Sequence, residues 1–168
     1  DERGMTGFNT DGDGFLQAVE EAFGRSVAGL SVFVLGTGGA GRAAALMCAR
    51  AKARCLALAD VDHLRCEKTA KEIRERFRGI HAQVLDVKSR WSEICRDADL
   101  VVQATPVGMK PDDEPICRAE AFRAGQCVFD LVYMYPETSF MKEAKAAGAQ
   151  AVNGLGMLLH QGARAFEI

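Results

Sequence analysis

The sequence predicts a doubly wound α/β fold, a mostly parallel six-stranded sheet with helices on both faces and strand order 3-2-1-4-5-6. Three observations carry this. Short apolar runs alternate with helical periodicities along the whole chain. The run Leu30–Leu35 passes directly into Gly36-Thr37-Gly38-Gly39-Ala40-Gly41, which has G-x-G-x-x-G spacing and opens an alanine-rich segment. A second strand pattern ends on an acidic residue, Asp60, about twenty residues further on. Together these are the marks of a Rossmann-type dinucleotide-binding domain, here spanning residues 1–168.

The elements follow in order. Gly7 to Gly14 is rich in Asp, Asn and Gly. Asn9, Asp11, Asp13, Gly14 and Glu20 come close to a calcium-loop pattern, but the preceding residues lack the helix that such a loop needs. A turn in which Asp11 or Asp13 caps a helix over Phe15–Phe23 fits better. A helix is expected over Ala43–Ala53, a strand over Arg54–Ala59 and a second helix over Val61–Phe77. Ile80–Val87 alternates as a strand, and Trp91, Ile94 and Cys95 mark a short helix. Asp99–Ala104 reads as a buried strand, Lys110–Pro115 as polar loop and Gln126–Val132 as the fifth strand. Thr138–Ala147 reads as a helix stopped at Gly148, and Ala149–Val152 as the sixth strand. Asn153-Gly154 makes a turn before a last amphipathic helix from Leu155.

Each glycine of the motif has a distinct use. Gly36 allows the tight turn, Gly38 lets backbone approach a pyrophosphate, and Gly41 lets the helix pack closely on the sheet. The first N–H groups of the helix, with its dipole behind them, then face the phosphates. Asp60 is placed to accept from both adenosine ribose hydroxyls and to repel a 2′-phosphate, which argues for NAD, with NADP as the alternative. Arg65 is expected on the solvated helix face. Ligands in such sheets sit at the carboxyl ends of strands, so Thr105, Pro106 and Val107 fall beside the nicotinamide ribose.

Composition narrows the partners. The net charge is −2 and 26% of residues are charged, with no basic surplus to favour nucleic acid or an anionic membrane. No apolar run approaches a bilayer span. The six cysteines form no C-x-x-C and none is at metal-ligand spacing to a histidine, so reduced thiols in a cytoplasmic protein, with no metal, are expected. The chain opens on Asp1 rather than Met, which reads as a piece of a longer protein.

Five motifs occur in a fixed order: Asn9-Thr10-Asp11-Gly12; the glycine loop; Ala104-Thr105-Pro106-Val107-Gly108-Met109; Asp130-Leu131-Val132-Tyr133 with Pro136 and Thr138; and Gly154-Leu155-Gly156-Met157-Leu158 with Gln161. This set resembles the C-terminal, nucleotide-binding domain of shikimate dehydrogenases and quinate/shikimate dehydrogenases, over essentially the whole chain. The resemblance implies hydride transfer between NAD(P)H and 3-dehydroshikimate, giving shikimate, in a cleft shared with an N-terminal domain that carries a catalytic lysine. It implies that Asp11 is the other half of that pair and that Asn9, Thr10, Tyr133 and Gln161 bind substrate. It places Leu131, Gly154 and Met157 beside the nicotinamide. NADP-using members commonly carry an Asn-Arg-Thr-like run where this chain has Ala59-Asp60-Val61-Asp62, which is similar to the NAD-preferring quinate/shikimate branch. Three other readings stand beside this one: a binding module without chemistry, a methylene-tetrahydrofolate-type dehydrogenase, and the dehydrogenase part of a dehydroquinate dehydratase fusion.

Overall fold

A computed structural model describes residues 10–86 and 90–167. Helix α1 (Asp11–Phe23) comes first. It is followed by β1 (Ser31–Leu35), α2 (Gly39–Arg50), β2 (Cys55–Ala59), α3 (His63–Arg76) and β3 (His81–Val84). Then come α4 (Trp91–Asp97), β4 (Leu100–Gln103), a 3-10 turn (Ala119–Ala121), β5 (Cys127–Asp130), α5 (Ser139–Ala146), β6 (Gln150–Asn153) and α6 (Leu155–Phe166).

The six strands form one sheet in the order β3-β2-β1-β4-β5-β6, every neighbouring pair parallel. That is the expected doubly wound order. The direction in which successive strands are added reverses between β1 and β4, where such sheets open a crevice. The carboxyl ends are in register: Ala59 pairs Leu35, Leu35 pairs Gln103, Gln103 pairs Asp130, and Asp130 pairs Asn153. The loops that leave this row therefore emerge side by side.

Alternation along the strands divides the core into two layers. Val32 and Val34 face a cluster with Phe15, Cys48, Ile73, Phe129 and Met157, under α1, α2, α3 and α6. Phe33 and Leu35 face the other layer, with Trp91, Cys95, Val128, Phe140 and Met141. An edge-to-face aromatic pair anchors each layer, Phe15–Phe129 at 5.4 Å and Phe122–Phe140 at 5.2 Å. Truncating one of these rings to alanine costs roughly 3–5 kcal/mol in comparable cores.

Several expected boundaries move, each for a local reason. Helix α1 begins at Asp11, four residues before Phe15, so Asp11 and Asp13 are its first turn rather than its cap; Thr10 takes the cap position without a side-chain bond. The calcium-loop reading is thereby overturned over its described residues, because they are helical. Helix α2 begins at Gly39, not Ala43, so the last two glycines lie inside its first turn. Strand β5 stops at Asp130, because the Asp130 carboxylate accepts from the Val132 N–H at 3.0 Å and turns the chain. Thr138 caps α5, its hydroxyl accepting from the Met141 N–H at 3.2 Å. Asn9 and Val87 lie outside the described residues.

Candidate functional site

Three adjoining cavities run along the carboxyl edge of the sheet. The largest, about 520 Å³, lies between the glycine loop, the end of β2 and the loop after β4. Gly36, Gly38, Asp60, Thr105, Pro106 and Val107 line it together. So do Val61, Arg65, Trp91 and Ile116, which sequence reasoning did not assign to it. A cleft of about 140 Å³ shares Ala104 and Thr105 with it and continues over Met109, Leu131, Tyr133 and Met134. A third, of about 190 Å³, shares Ala40, Leu131 and Tyr133 with the second and ends on Asp11, Gly154, Met157 and Gln161.

The glycine loop has the shape of a phosphate cradle. Gly36 adopts φ +91°, in the left-handed region, and its N–H donates to the Ala59 carbonyl at 2.7 Å. A Cβ on Gly41 would stand 2.0 Å from the Gly36 carbonyl oxygen and 2.9 Å from the Ala104 Cβ, so only glycine lets α2 approach that closely. A Cβ on Gly38 would meet nothing within 4 Å, which leaves backbone facing the open cavity at the start of a helix. These features fit a pyrophosphate. Gly39 lies exposed in the first helical turn.

Thr37 and Asp60 form a latch beneath this loop. Thr37 is 1% exposed, and Asp60 takes both of its donors. Its N–H and its hydroxyl both donate to Asp60 Oδ2, at 2.6 and 2.8 Å. Asp60 Oδ1 accepts from the Asp62 N–H at 2.9 Å. Burial pushes the Asp60 carboxyl up, but the Asp62 and Thr37 hydrogen bonds and the Arg65 charge together hold it below the usual carboxylate range. A carboxylate offers about four acceptor directions. Three are taken here, leaving room for one ribose hydroxyl rather than the expected two. Arg65 is exposed, as expected of the solvated helix face, and also lines the cavity wall; its guanidinium sits 3.0 Å from Asp62 Oδ2.

The far end of the site is assembled by helix packing. A Cβ on Gly14 would stand 2.7 Å from the backbone nitrogen of Gln161, so α1 and α6 meet backbone to backbone. That contact brings Asp11 and Gln161, far apart in sequence, into one cleft. His160 Nε2 lies 2.6 Å from Glu21 Oε2 and ties the same two helices. Gly14 thus serves helix contact, whereas its sequence context suggested a turn. Tyr133 is half exposed on the cleft. Thr10 sits at the head of α1, half-buried. The Asn153 side chain donates to the Tyr135 carbonyl at 3.1 Å and accepts from the Leu155 N–H at 3.2 Å, which fixes the loop after β5 against the start of α6.

Between the two ends lies a buried polar cluster at the last row of the sheet. Asp130 and Gln103 are both 0% exposed. Burial pushes the Asp130 carboxyl up to about 6, against the lowering effect of hydrogen bonds from the Thr138 hydroxyl and the Val132 N–H.

Residues 32–152 match the family described as "saccharopine dehydrogenase NADP binding domain". The chain is 42% identical to the shikimate dehydrogenase (NADP(+)) of Methanopyrus kandleri over 167 residues, 98% of this chain and 57% of the relative. The chain therefore spans rather more than half the length of that protein. In structure it is similar to the shikimate 5-dehydrogenase of Listeria monocytogenes in complex with shikimate and NAD, with a TM-score of 0.90 and 30% identity over 99% of this chain and 60% of that one. It is also similar to the quinate dehydrogenase of Corynebacterium glutamicum in complex with NAD, with a TM-score of 0.84 and 30% identity over 96% and 57% of the two chains.

Proposed function

The chain belongs to the saccharopine dehydrogenase NADP binding domain family, and we propose that it is the cofactor-binding part of a shikimate or quinate/shikimate dehydrogenase. The family match stops short of Asp11 and Gln161, so its name bears on the cofactor end alone. The substrate class rests on the relatives, which carry the names of shikimate and quinate dehydrogenases. The observation that carries the proposal is the cleft in which Asp11, Tyr133 and Gln161 converge with Leu131, Gly154 and Met157. Six residues from three separate motifs meet there, next to a cavity that fits a dinucleotide.

The bound dinucleotide supplies or accepts the hydride. The chain's own residues do the rest. The first turn of α2 and the exposed backbone of Gly38 hold the pyrophosphate. Thr105, Pro106 and Val107 line the nicotinamide ribose, and Leu131, Gly154 and Met157 flank the ring. Tyr133 and Gln161 hydrogen-bond the hydroxyls or carboxylate of 3-dehydroshikimate, shikimate or quinate, and the motif resemblance assigns Asn9 and Thr10 to the same task. Asp11 is half of an acid–base pair. It orients and shares a proton with a lysine from an N-terminal domain, and that lysine protonates the carbonyl oxygen as hydride arrives at carbon. The exposed apolar side chains Leu155, Leu158 and Leu159 of α6 fit a face covered by such a domain.

The cofactor is NAD in preference to NADP, because the Asp60 carboxylate stands at the ribose end of the cavity. Arg65 is the competing feature: released from Asp62, it would meet a 2′-phosphate. Trp91 is the one tryptophan of the chain and walls this cavity, so its fluorescence reports occupancy. NADH is expected to quench it at lower concentration than NADPH. Equal or tighter NADPH binding removes the NAD assignment. These 168 residues are expected to show negligible turnover with shikimate or quinate, and robust turnover overturns the two-domain mechanism.

A further inference from the structure

Most of the largest fully buried side chains of the sheet are hydrocarbon, which makes Gln103 and Asp130 conspicuous. They are register partners in the last row, and each lies directly before a cavity loop. We propose that Gln103 and Asp130 are positioning residues for the nicotinamide half of the site. They form a buried brace that sets the Thr105–Val107 loop and the Leu131–Tyr133 loop relative to each other. The proposal rests on the cofactor reading above and goes beyond it, because neither side chain reaches a cavity.

The argument is a hydrogen-bond inventory. Gln103 Nε2 donates to the Val107 carbonyl at 2.7 Å and to Asp130 Oδ1 at 3.3 Å. Gln103 Oε1 accepts from the Thr105 N–H at 2.5 Å. One amide therefore pairs with both a donor and an acceptor of the loop that follows its own strand. Asp130 Oδ1 also accepts from the Val132 N–H at 3.0 Å, and Oδ2 accepts from the Thr138 hydroxyl at 2.6 Å. The Thr138 hydroxyl in turn caps α5. A continuous buried path thus runs from the β4 loop through Gln103 and Asp130 to the β5 loop and α5.

A brace of this kind carries a cost, since buried polar groups are tolerated only when fully hydrogen-bonded. Apolar residues would pack at these positions without that requirement, as Val102 and Phe129 do one residue earlier. What the polar pair supplies is a fixed spacing between two loop backbones beyond the last ladder bond, from the Leu131 N–H to the Gln103 carbonyl at 2.8 Å. Both loops line the middle cleft, through Thr105 on one side and Leu131, Val132 and Tyr133 on the other. The adenosine end depends instead on the glycine loop and Asp60, whose carboxylate bonds Thr37 and Asp62 rather than the brace, although Thr105–Val107 line the same cavity.

The test separates positioning from general stability. ADP engages only the adenosine half, while NADH engages both. Gln103→Met keeps the volume and removes the amide; Thr138→Val keeps the shape and removes the donor to Asp130. Calorimetric titration is expected to show NADH affinity falling about tenfold in Gln103→Met and less in Thr138→Val, with ADP affinity changed by less than about twofold. Parallel weakening of both ligands overturns the proposal, because the pair would then hold up the fold alone. Unchanged NADH affinity overturns it too. If Gln103→Met fails to fold, the NADH-to-ADP ratio in Thr138→Val decides. A wild-type chain that binds neither ligand removes the cofactor reading itself, a result distinct from both.

Discussion

On the β1–β2 side of the sheet, the loop facing the cavity is held by backbone. Glycines allow the close approach of α2, and one half-exposed carboxylate latches the loop through Thr37. On the β4–β5 side the loops contain no such glycine cluster, and buried side-chain amide, carboxylate and hydroxyl groups hold them. The two constructions respond differently to change. A glycine cradle fails by steric overlap, which is abrupt. A buried polar brace fails when a partner is lost or changes protonation, which is graded and pH-dependent. The difference suits the tasks: one side binds a phosphate group common to many ligands, and the other must set a reactive ring against a substrate.

The largest expected effect tests the backbone side. Gly41→Val places side-chain carbon where the Gly36 carbonyl already stands 2.0 Å from a Cβ. It is expected to cost roughly 3 kcal/mol or more and to abolish dinucleotide binding. Urea denaturation with an unchanged m-value measures the loss. A variant as stable as wild type would show that α2 has room to withdraw from the loop.

The second tests the polar side. Asp130 has a folded pKa raised to about 6, above the unfolded value, so the folded state binds more protons than the unfolded state between about pH 4 and 6. Stability attributable to this carboxyl therefore falls as pH rises through that window and is flat above it. By linkage the change is at most about 3 kcal/mol. Wild type is expected to lose stability relative to Asp130→Asn from pH 4 to pH 6, measured as paired denaturation midpoints. A constant gap between the two would mean that Asp130 titrates as an ordinary carboxyl.

The smallest returns to the latch. Asp60→Ser removes the acceptor shared by the Thr37 N–H and hydroxyl. It is expected to destabilise the chain by about 1–2 kcal/mol and to narrow the NADH/NADPH ratio mainly by weakening NADH. If NADH affinity holds while NADPH affinity rises to meet it, Asp60 acts by repulsion alone and the latch is incidental.

Much of this was legible without coordinates. The strand order followed from alternating apolar runs, and the cradle from three glycines between a strand and a helix, since both depend on neighbours within about 30 residues. Asp60 was correctly placed at the end of β2, but its commitment to Thr37 was not visible. Nothing in a sequence says which of several nearby donors a carboxylate will take. Arg65 is solvated as helix periodicity indicates, but periodicity gives a face, not the cavity that lies across from it. Trp91 and Ile116 gave no signal as cavity residues, because an apolar side chain in a wall reads the same as one in a core. Gln103 and Asp130 each stand inside an apolar strand run, and those two anomalies are the hints of the brace that the sequence carries.

The sequence by itself determined the doubly wound sheet, the crevice between β1 and β4 and the phosphate cradle, because hydrophobic period and glycine spacing act locally. Only the tertiary structure decided three further things: that Asp60 latches Thr37, that Gly14 brings α1 onto α6 so that Asp11 meets Gln161, and that Gln103 and Asp130 join two loops. Each of these is a contact between residues distant in sequence. Its partner is chosen by packing and by the demand that every buried polar group be hydrogen-bonded, and a linear pattern carries no record of that choice.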